Sequence, residues 1–153
     1  MPQEEIQPIP AQANEKSEVK SSGLILHVDD DEKIRKAFLR TVSWERPKDK
    51  VVSVGSVREA IEKILAGPLP DLIFSDMSME GSVEIDGKRL STGRDFYDWL
   101  QKKYPALLER FYFVCSEGAN PDTDKFLRQK NIKWIEKPDF GEAVRKTVTE
   151  ILG

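Results

Sequence analysis

Five short apolar runs recur along the chain, and each one ends at a charged, polar or chain-breaking residue. Runs of this length, bounded by charge or proline and alternating with segments of helical periodicity, are typical of buried strands in a parallel sheet. The predicted strands are Leu24–Val28, Val51–Val54, Leu72–Ser75, Phe111–Val114 and Trp134–Glu136.

Apolar residues at helical spacing follow each predicted strand. Ser56 stands three residues before Glu59, a capping-box pattern that marks the start of the second helix. Pro105 is expected to end the third helix, and Pro121 suits the first position of the fourth. Five strands that alternate with five helices predict a doubly wound α/β fold with right-handed crossovers.

The segment between Glu80 and Gly93 has a different pattern. Within it, residues 83–90 alternate around the pair Asp86-Gly87, and such a pair between alternating residues is a strong hairpin signal. We predict a small β-hairpin over residues 83–90, and an insertion without regular structure is the alternative.

Length and composition limit the class of protein. At 153 residues the chain is expected to be one domain, residues 23–153, preceded by a disordered N-terminal arm or linker over residues 1–22. The single cysteine, Cys115, excludes an intrachain disulfide and favours the cytoplasm. With a net charge of -3, the sequence lacks the excess of basic residues that is typical of nucleic-acid binding. No apolar stretch is long enough for a membrane helix.

The candidate functional residues lie where the predicted strands end. Asp29 and Asp30 follow the first strand, Asp76 follows the third, and Lys137 follows the fifth. In parallel sheets the functional groups gather at the carboxyl edge, so these residues are expected to converge. Three acids and one amine in one place suit a divalent cation and a phosphoryl group. His27, inside a strand, is expected to be a packed core residue.

These strand ends resemble the receiver domain of two-component response regulators. The resemblance rests on Asp29-Asp30, Asp76, Ser116 and Lys137-Pro138, in this order and spacing, and extends over residues 23 to 152. Among receivers, the sequence is most similar to those of hybrid histidine kinases. The resemblance implies a flavodoxin-like fold with a five-stranded parallel sheet in the order 2-1-3-4-5.

The resemblance also implies a metal-dependent phosphoryl transfer. Asp76 corresponds to the phosphoacceptor, a carboxylate nucleophile that receives phosphorus from a phosphohistidine. Asp29 and Asp30 correspond to the acidic pair that binds Mg²⁺, with Asp76 and the backbone carbonyl of Ser78 as the other protein ligands. The phosphodonor would be a histidine kinase or a phosphotransfer protein.

Three further positions match residues that contact the phosphoryl group or change conformation. Lys137 corresponds to the lysine that contacts the phosphoryl group, and Ser116 to the hydroxyl residue that turns towards the phosphorylated aspartate. Trp134 occupies the aromatic switch position. The signal would pass to a downstream protein through the last two helices and the fifth strand, without enzyme activity on other substrates.

The sequence also departs from the receiver pattern. Receivers usually follow the acceptor with a Met-Pro pair, whereas here Asp76-Met77-Ser78-Met79 is followed by Glu80. Glu117 stands where receivers usually have alanine or glycine. These departures leave open a pseudo-receiver that binds a protein partner without phosphorylation. A Mg²⁺-dependent phosphohydrolase is less favoured, because Ser78 stands where such an enzyme needs a second acid.

Overall fold

The computed structural model describes residues 23–77, 83–115, 121–136 and 140–152. Five parallel strands form the main sheet, in the spatial order Lys50–Val54, Leu24–Val28, Leu72–Asp76, Phe111–Cys115 and Trp134–Glu136. Counted along the chain within this sheet, the order is 2-1-3-4-5, so the predicted flavodoxin-like topology is confirmed. The strands are β1 (Leu24–Val28), β2 (Lys50–Val54), β3 (Leu72–Asp76), β6 (Phe111–Cys115) and β7 (Trp134–Glu136).

Helices cover both faces of this sheet. Alternate strand residues face opposite ways, so Leu26 and Ile73 join one apolar cluster while Ile25 and Phe74 join another. The helices are α1 (Glu32–Glu45), α2 (Val57–Ala66), α3 (Gly93–Lys103), α4 (Pro121–Gln129) and α5 (Phe140–Leu152). The helices α2, α3 and α4 contribute to the first cluster, and α1 and α5 to the second.

His27 is a core residue, as predicted. Its ring is completely buried and stacks on Phe38, with 4.0 Å between the ring centroids and an interplanar angle of 3°. Its Nδ1 lies 2.7 Å from the Ser53 hydroxyl oxygen. Within the described residues, no helix has the length and apolar character to cross a membrane.

The predicted hairpin is present. Strands β4 (Val83–Ile85) and β5 (Lys88–Leu90) pair antiparallel around Asp86 and Gly87, with φ angles of 54° and 77°. Positive φ at both central residues is what a two-residue type I′ turn requires, because its twist matches that of the flanking strands. The hairpin predicted from the Asp86-Gly87 pair is therefore confirmed.

Two helix boundaries differ in detail from the predictions. The Ser56 hydroxyl accepts a hydrogen bond from the Glu59 N–H, but the Glu59 carboxylate accepts from the N–H of Gly55 (2.8 Å) and not from that of Ser56. Pro105 follows α3 as expected, yet it also begins a 3₁₀ helix over Pro105–Arg110 that the sequence did not indicate. Proline suits that first position because it has no N–H to leave unbonded.

A complete capping box begins α3, immediately after the hairpin. The Thr92 hydroxyl accepts from the Asp95 N–H (3.1 Å), and the Asp95 carboxylate accepts from the N–H groups of Thr92 (3.2 Å) and Ser91 (2.9 Å). These bonds satisfy helix N-terminal donors that would otherwise be unpaired. They also hold the end of the hairpin against the start of the helix.

We expect Thr92→Ala to lower the free energy of unfolding by about 1 kcal/mol, the usual cost of losing a side-chain N-cap. Thr92→Ser keeps the hydroxyl and is the matched control, with a much smaller expected change. Urea denaturation followed by far-ultraviolet circular dichroism measures both. Equal stability of the alanine and serine variants would contradict a capping role for this hydroxyl.

Candidate functional site

The acidic residues at the strand ends lie at one edge of the sheet. Strands β1 and β3 pair in register up to Val28 and Ser75, so the next residues, Asp29 and Asp76, reach the same level. The Asp29 N–H continues the ladder by donating to the Val54 carbonyl (3.0 Å). Sheet topology alone therefore brings together two acids that are far apart in the sequence.

Three carboxylates form a cluster at this edge. Asp29 is completely buried, Asp76 is 7% exposed, and Asp30 is exposed. One carboxylate oxygen from each lies within 4.8 Å of the others, so the three can hold a metal ion. Around Mg²⁺ with bonds of about 2.1 Å, opposite ligands lie about 4.2 Å apart, so this donor set fits a small hard cation after slight adjustment.

Local hydrogen bonds fix the orientation of two of these acids. One Asp29 oxygen accepts from the Asp31 N–H (2.8 Å), and one Asp76 oxygen accepts from the Met77 N–H (2.8 Å). The Arg35 guanidinium donates to the Asp29 backbone carbonyl (2.8 Å), which places a positive charge next to the cluster. We did not predict this role for Arg35. The only sequence signal was a basic residue in the helix that follows an acidic pair.

The start of α3 packs directly on the backbone of Asp76. The Gly93 N–H donates to the Met77 carbonyl (2.9 Å) and closes the base of the inserted loop. A Cβ atom on Gly93 would lie 2.0 Å from the Asp76 carbonyl oxygen. Only glycine permits this approach, so Gly93 supports the geometry at the end of β3. The sequence shows a glycine at the start of the helix, but not what it contacts.

No protein-family model matches the sequence. No curated protein matches it either. Solved structures do match. A response regulator receiver domain protein from Clostridium thermocellum has a TM-score of 0.65 at 18% identity and covers 85% of this chain and 94% of its own. The chemotaxis protein CheY4 of Vibrio cholerae has a TM-score of 0.66 at 22% identity, and the match covers 86% of this chain and 99% of the CheY4 chain. A response regulator receiver protein from Pseudomonas putida has a TM-score of 0.66 at 17% identity, and the match covers 84% of this chain and 97% of the Pseudomonas chain.

The chain has the fold of a response-regulator receiver domain. The predicted fold is thereby confirmed over most of the chain. In this receiver fold the acidic cluster lies at the carboxyl ends of β1 and β3, and the hairpin lies between the end of β3 and α3.

The other residues that the receiver pattern assigns are only partly described. Trp134 is the first residue of β7, opposite Phe113 of β6, and is 38% exposed. Strands β6 and β7 end at Cys115 and Glu136, immediately before two of the predicted site residues. Ser78, Ser116, Glu117 and Lys137 themselves lie outside the described residues, as does the arm over residues 1–22.

Proposed function

We propose that this chain is a phosphoacceptor receiver domain in a two-component phosphorelay. The observation that carries the proposal is the convergence of Asp29, Asp30 and Asp76 at the end of a sheet with receiver topology. A carboxylate oxygen of Asp76 would form a bond to phosphorus as the bond from phosphorus to a histidine nitrogen of the donor breaks. The imidazole leaves and takes up a proton, and an acyl phosphate remains on Asp76.

The acidic cluster explains why this step would require a divalent cation. Three carboxylates within 4.8 Å of one another repel an incoming phosphoryl group. Mg²⁺ bound by Asp29, Asp30, Asp76 and the Ser78 carbonyl would offset this charge. The chain's own contribution is positioning, because the Met77 N–H and the buried setting of Asp29 keep the carboxylates aligned.

The remaining roles follow the receiver resemblance. Lys137 would contact the transferred phosphoryl group, and Ser116 would turn towards it. Trp134, which is partly exposed on the last strand of the sheet, would then repack and change the surface offered to a downstream protein. The donor is a histidine kinase or a phosphotransfer protein. The domain would act in the cytoplasm as a signalling module, with residues 1–22 as an arm or linker.

A phosphorylation-independent binding module is the second candidate. Glu117, next to the proposed switch residue Ser116, favours it, because a carboxylate there would repel a phosphoryl group. Such a module would bind its partner equally well with Asn in place of Asp76.

Acetyl phosphate tests the choice between these functions without the need for the native kinase. We expect the full chain to gain the mass of one phosphoryl group when incubated with acetyl phosphate and Mg²⁺, and no mass when EDTA replaces the cation. Intact-protein mass spectrometry measures this gain. An unmodified mass under both conditions, with phosphoramidate as a second donor giving the same result, would contradict the proposal and favour the binding module.

A further inference from the structure

A pocket lies at the end of the sheet opposite the acidic cluster, between the edge strand β2 and the end of α2. Leu24 and Leu26 of β1 lie beside Lys50 and Val52 of β2 in the register, so all four residues share one face of the sheet. Together with Ile64 of α2, they line the pocket. No described strand pairs with the outer side of β2. The empty volume, with the solvent at the mouth included, is about 430 Å³, which suits a short peptide segment.

The charged groups of this pocket are all cationic. Lys50 and Lys63 are exposed, and among the described residues neither forms an ion pair and no acid lines the pocket. Asp49 and Asp71 lie at the same end of the sheet, but their carboxylates accept from the backbone N–H groups that begin β1 (2.7 and 2.8 Å). An apolar floor with ammonium groups at its mouth favours an aliphatic side chain flanked by carboxylates.

The N-terminal arm of the chain contains one segment with this chemistry. Residues 4–10, here called the acidic segment, are Glu-Glu-Ile-Gln-Pro-Ile-Pro, with two acids directly before an isoleucine and no basic residue. The rest of the arm has as many basic as acidic residues. The prolines at positions 8 and 10 restrict the residues before them to extended backbone, which lowers the entropy lost on docking.

The arm joins the fold beside this pocket. Gly23 is held at the start of β1, because its N–H donates to the Asp49 carboxylate (2.7 Å) and its carbonyl accepts from the Lys50 N–H (2.8 Å). The next residue, Leu24, already lines the pocket. Residues 11–22 can span up to about 40 Å when extended, so the acidic segment can reach it. A connection this short gives an effective concentration of about millimolar, so even a weak contact would be populated.

We propose that the acidic segment docks in this pocket of the same molecule. The Ile6 side chain enters over the apolar floor, and the two glutamates before it pair with Lys50 and Lys63. Because the pocket lies at the other end of the sheet, the docked arm leaves Asp76 accessible. The proposal does not depend on phosphorylation, and its test contains neither Mg²⁺ nor a phosphodonor, so it and the proposed function can fail separately.

The test follows the δ1 methyl resonances of isoleucine in the ¹³C-labelled full chain. In the wild type we expect the Ile6 resonance to be as broad as those of the folded domain. In the double variant Glu4→Lys, Glu5→Lys, it should become narrow, and the Ile64 resonance should shift as the pocket empties. Ile25, which is buried on the other face of the sheet, is the internal control and should not move. Ile6→Asp identifies the Ile6 resonance and should shift Ile64 in the same way.

Matched charge changes distinguish docking from a general electrostatic effect. Glu15→Lys with Glu18→Lys makes the same change outside the acidic segment and should leave both resonances as they are in the wild type. Combining Lys50→Glu and Lys63→Glu with the first double variant exchanges the charges and should broaden the Ile6 resonance again.

Several results would overturn the proposal. These are an Ile6 resonance that is already narrow in the wild type, an Ile64 resonance that does not move, equal effects of the control variant, and an Ile6 resonance that stays narrow after the charge exchange. A shift of Ile64 on simple dilution would also overturn it, because the pocket would then bind the arm of a second copy.

Discussion

Gly93→Ala is expected to lower the free energy of unfolding by about 1–3 kcal/mol or more, the range for overpacking a well-packed site. The added methyl group would lie 2.0 Å from the Asp76 carbonyl oxygen and 3.0 Å from the Met77 Cα. Both contacts are backbone atoms, which cannot rotate away as a flexible side chain can. The helix or the end of β3 must therefore shift, and the Gly93 N–H bond to the Met77 carbonyl would be strained or lost.

Gly141→Ala is the matched control for this substitution. Gly141 also lies in a helix, α5, but a Cβ atom there would meet nothing within 4 Å. Alanine has the better helix propensity, so this variant should gain up to about 1 kcal/mol. Urea denaturation compares the two. Equal stability changes in the two variants would show that the close approach at Gly93 is not a real constraint.

Asp30→Asn is expected to weaken Mg²⁺ binding at least tenfold without lowering the stability of the metal-free protein. Asp30 is the exposed member of the cluster, so the amide fits without repacking. Its charge lies within 4.8 Å of a carboxylate oxygen of Asp29 and of Asp76, so the variant relieves repulsion within the cluster. The cation, in contrast, loses a charged oxygen ligand. Isothermal titration calorimetry measures the affinity, and thermal unfolding in EDTA measures the stability.

Asp31→Asn is the control for the neighbouring acid. The Asp31 side chain caps α1 by accepting from the Lys33 N–H (2.9 Å), and asparagine caps equally well. Mg²⁺ affinity should stay within about twofold of the wild type, because Asp31 does not belong to the carboxylate cluster. If Asp31→Asn weakens binding as much as Asp30→Asn does, the cation interacts with general negative charge and not with a defined set of ligands.

The sequence was sufficient for the features that depend on local chemistry. Strand ends at Asp29 and Asp76 followed from apolar runs, and parallel pairing then placed these acids at one edge. The hairpin followed from Asp86-Gly87, since few other pairs tolerate positive φ at both positions. The strand order itself came from the receiver resemblance, because periodicity does not specify which strands are neighbours.

Features that depend on contacts between distant parts of the chain were not predictable. A glycine at the start of a helix is common, and only the packing of α3 on β3 shows that Gly93 excludes any larger residue. The burial of the Trp99 indole likewise depends on tertiary packing, including its ring contacts with Phe96 and Tyr104. The capping boxes show a similar limit. The Ser56–Glu59 pattern was found, but its carboxylate binds Gly55, while the complete box at Thr92 and Asp95 was missed.

Borohydride reduction tests the central claim, which is that Asp76 accepts the phosphoryl group. An acyl phosphate on aspartate is reduced by borohydride to homoserine, and peptide mapping by tandem mass spectrometry then locates the modified residue. After treatment with acetyl phosphate and Mg²⁺, we expect homoserine at position 76 and none in the Asp76→Asn variant. Homoserine at another aspartate, or its formation in that variant, would contradict the account.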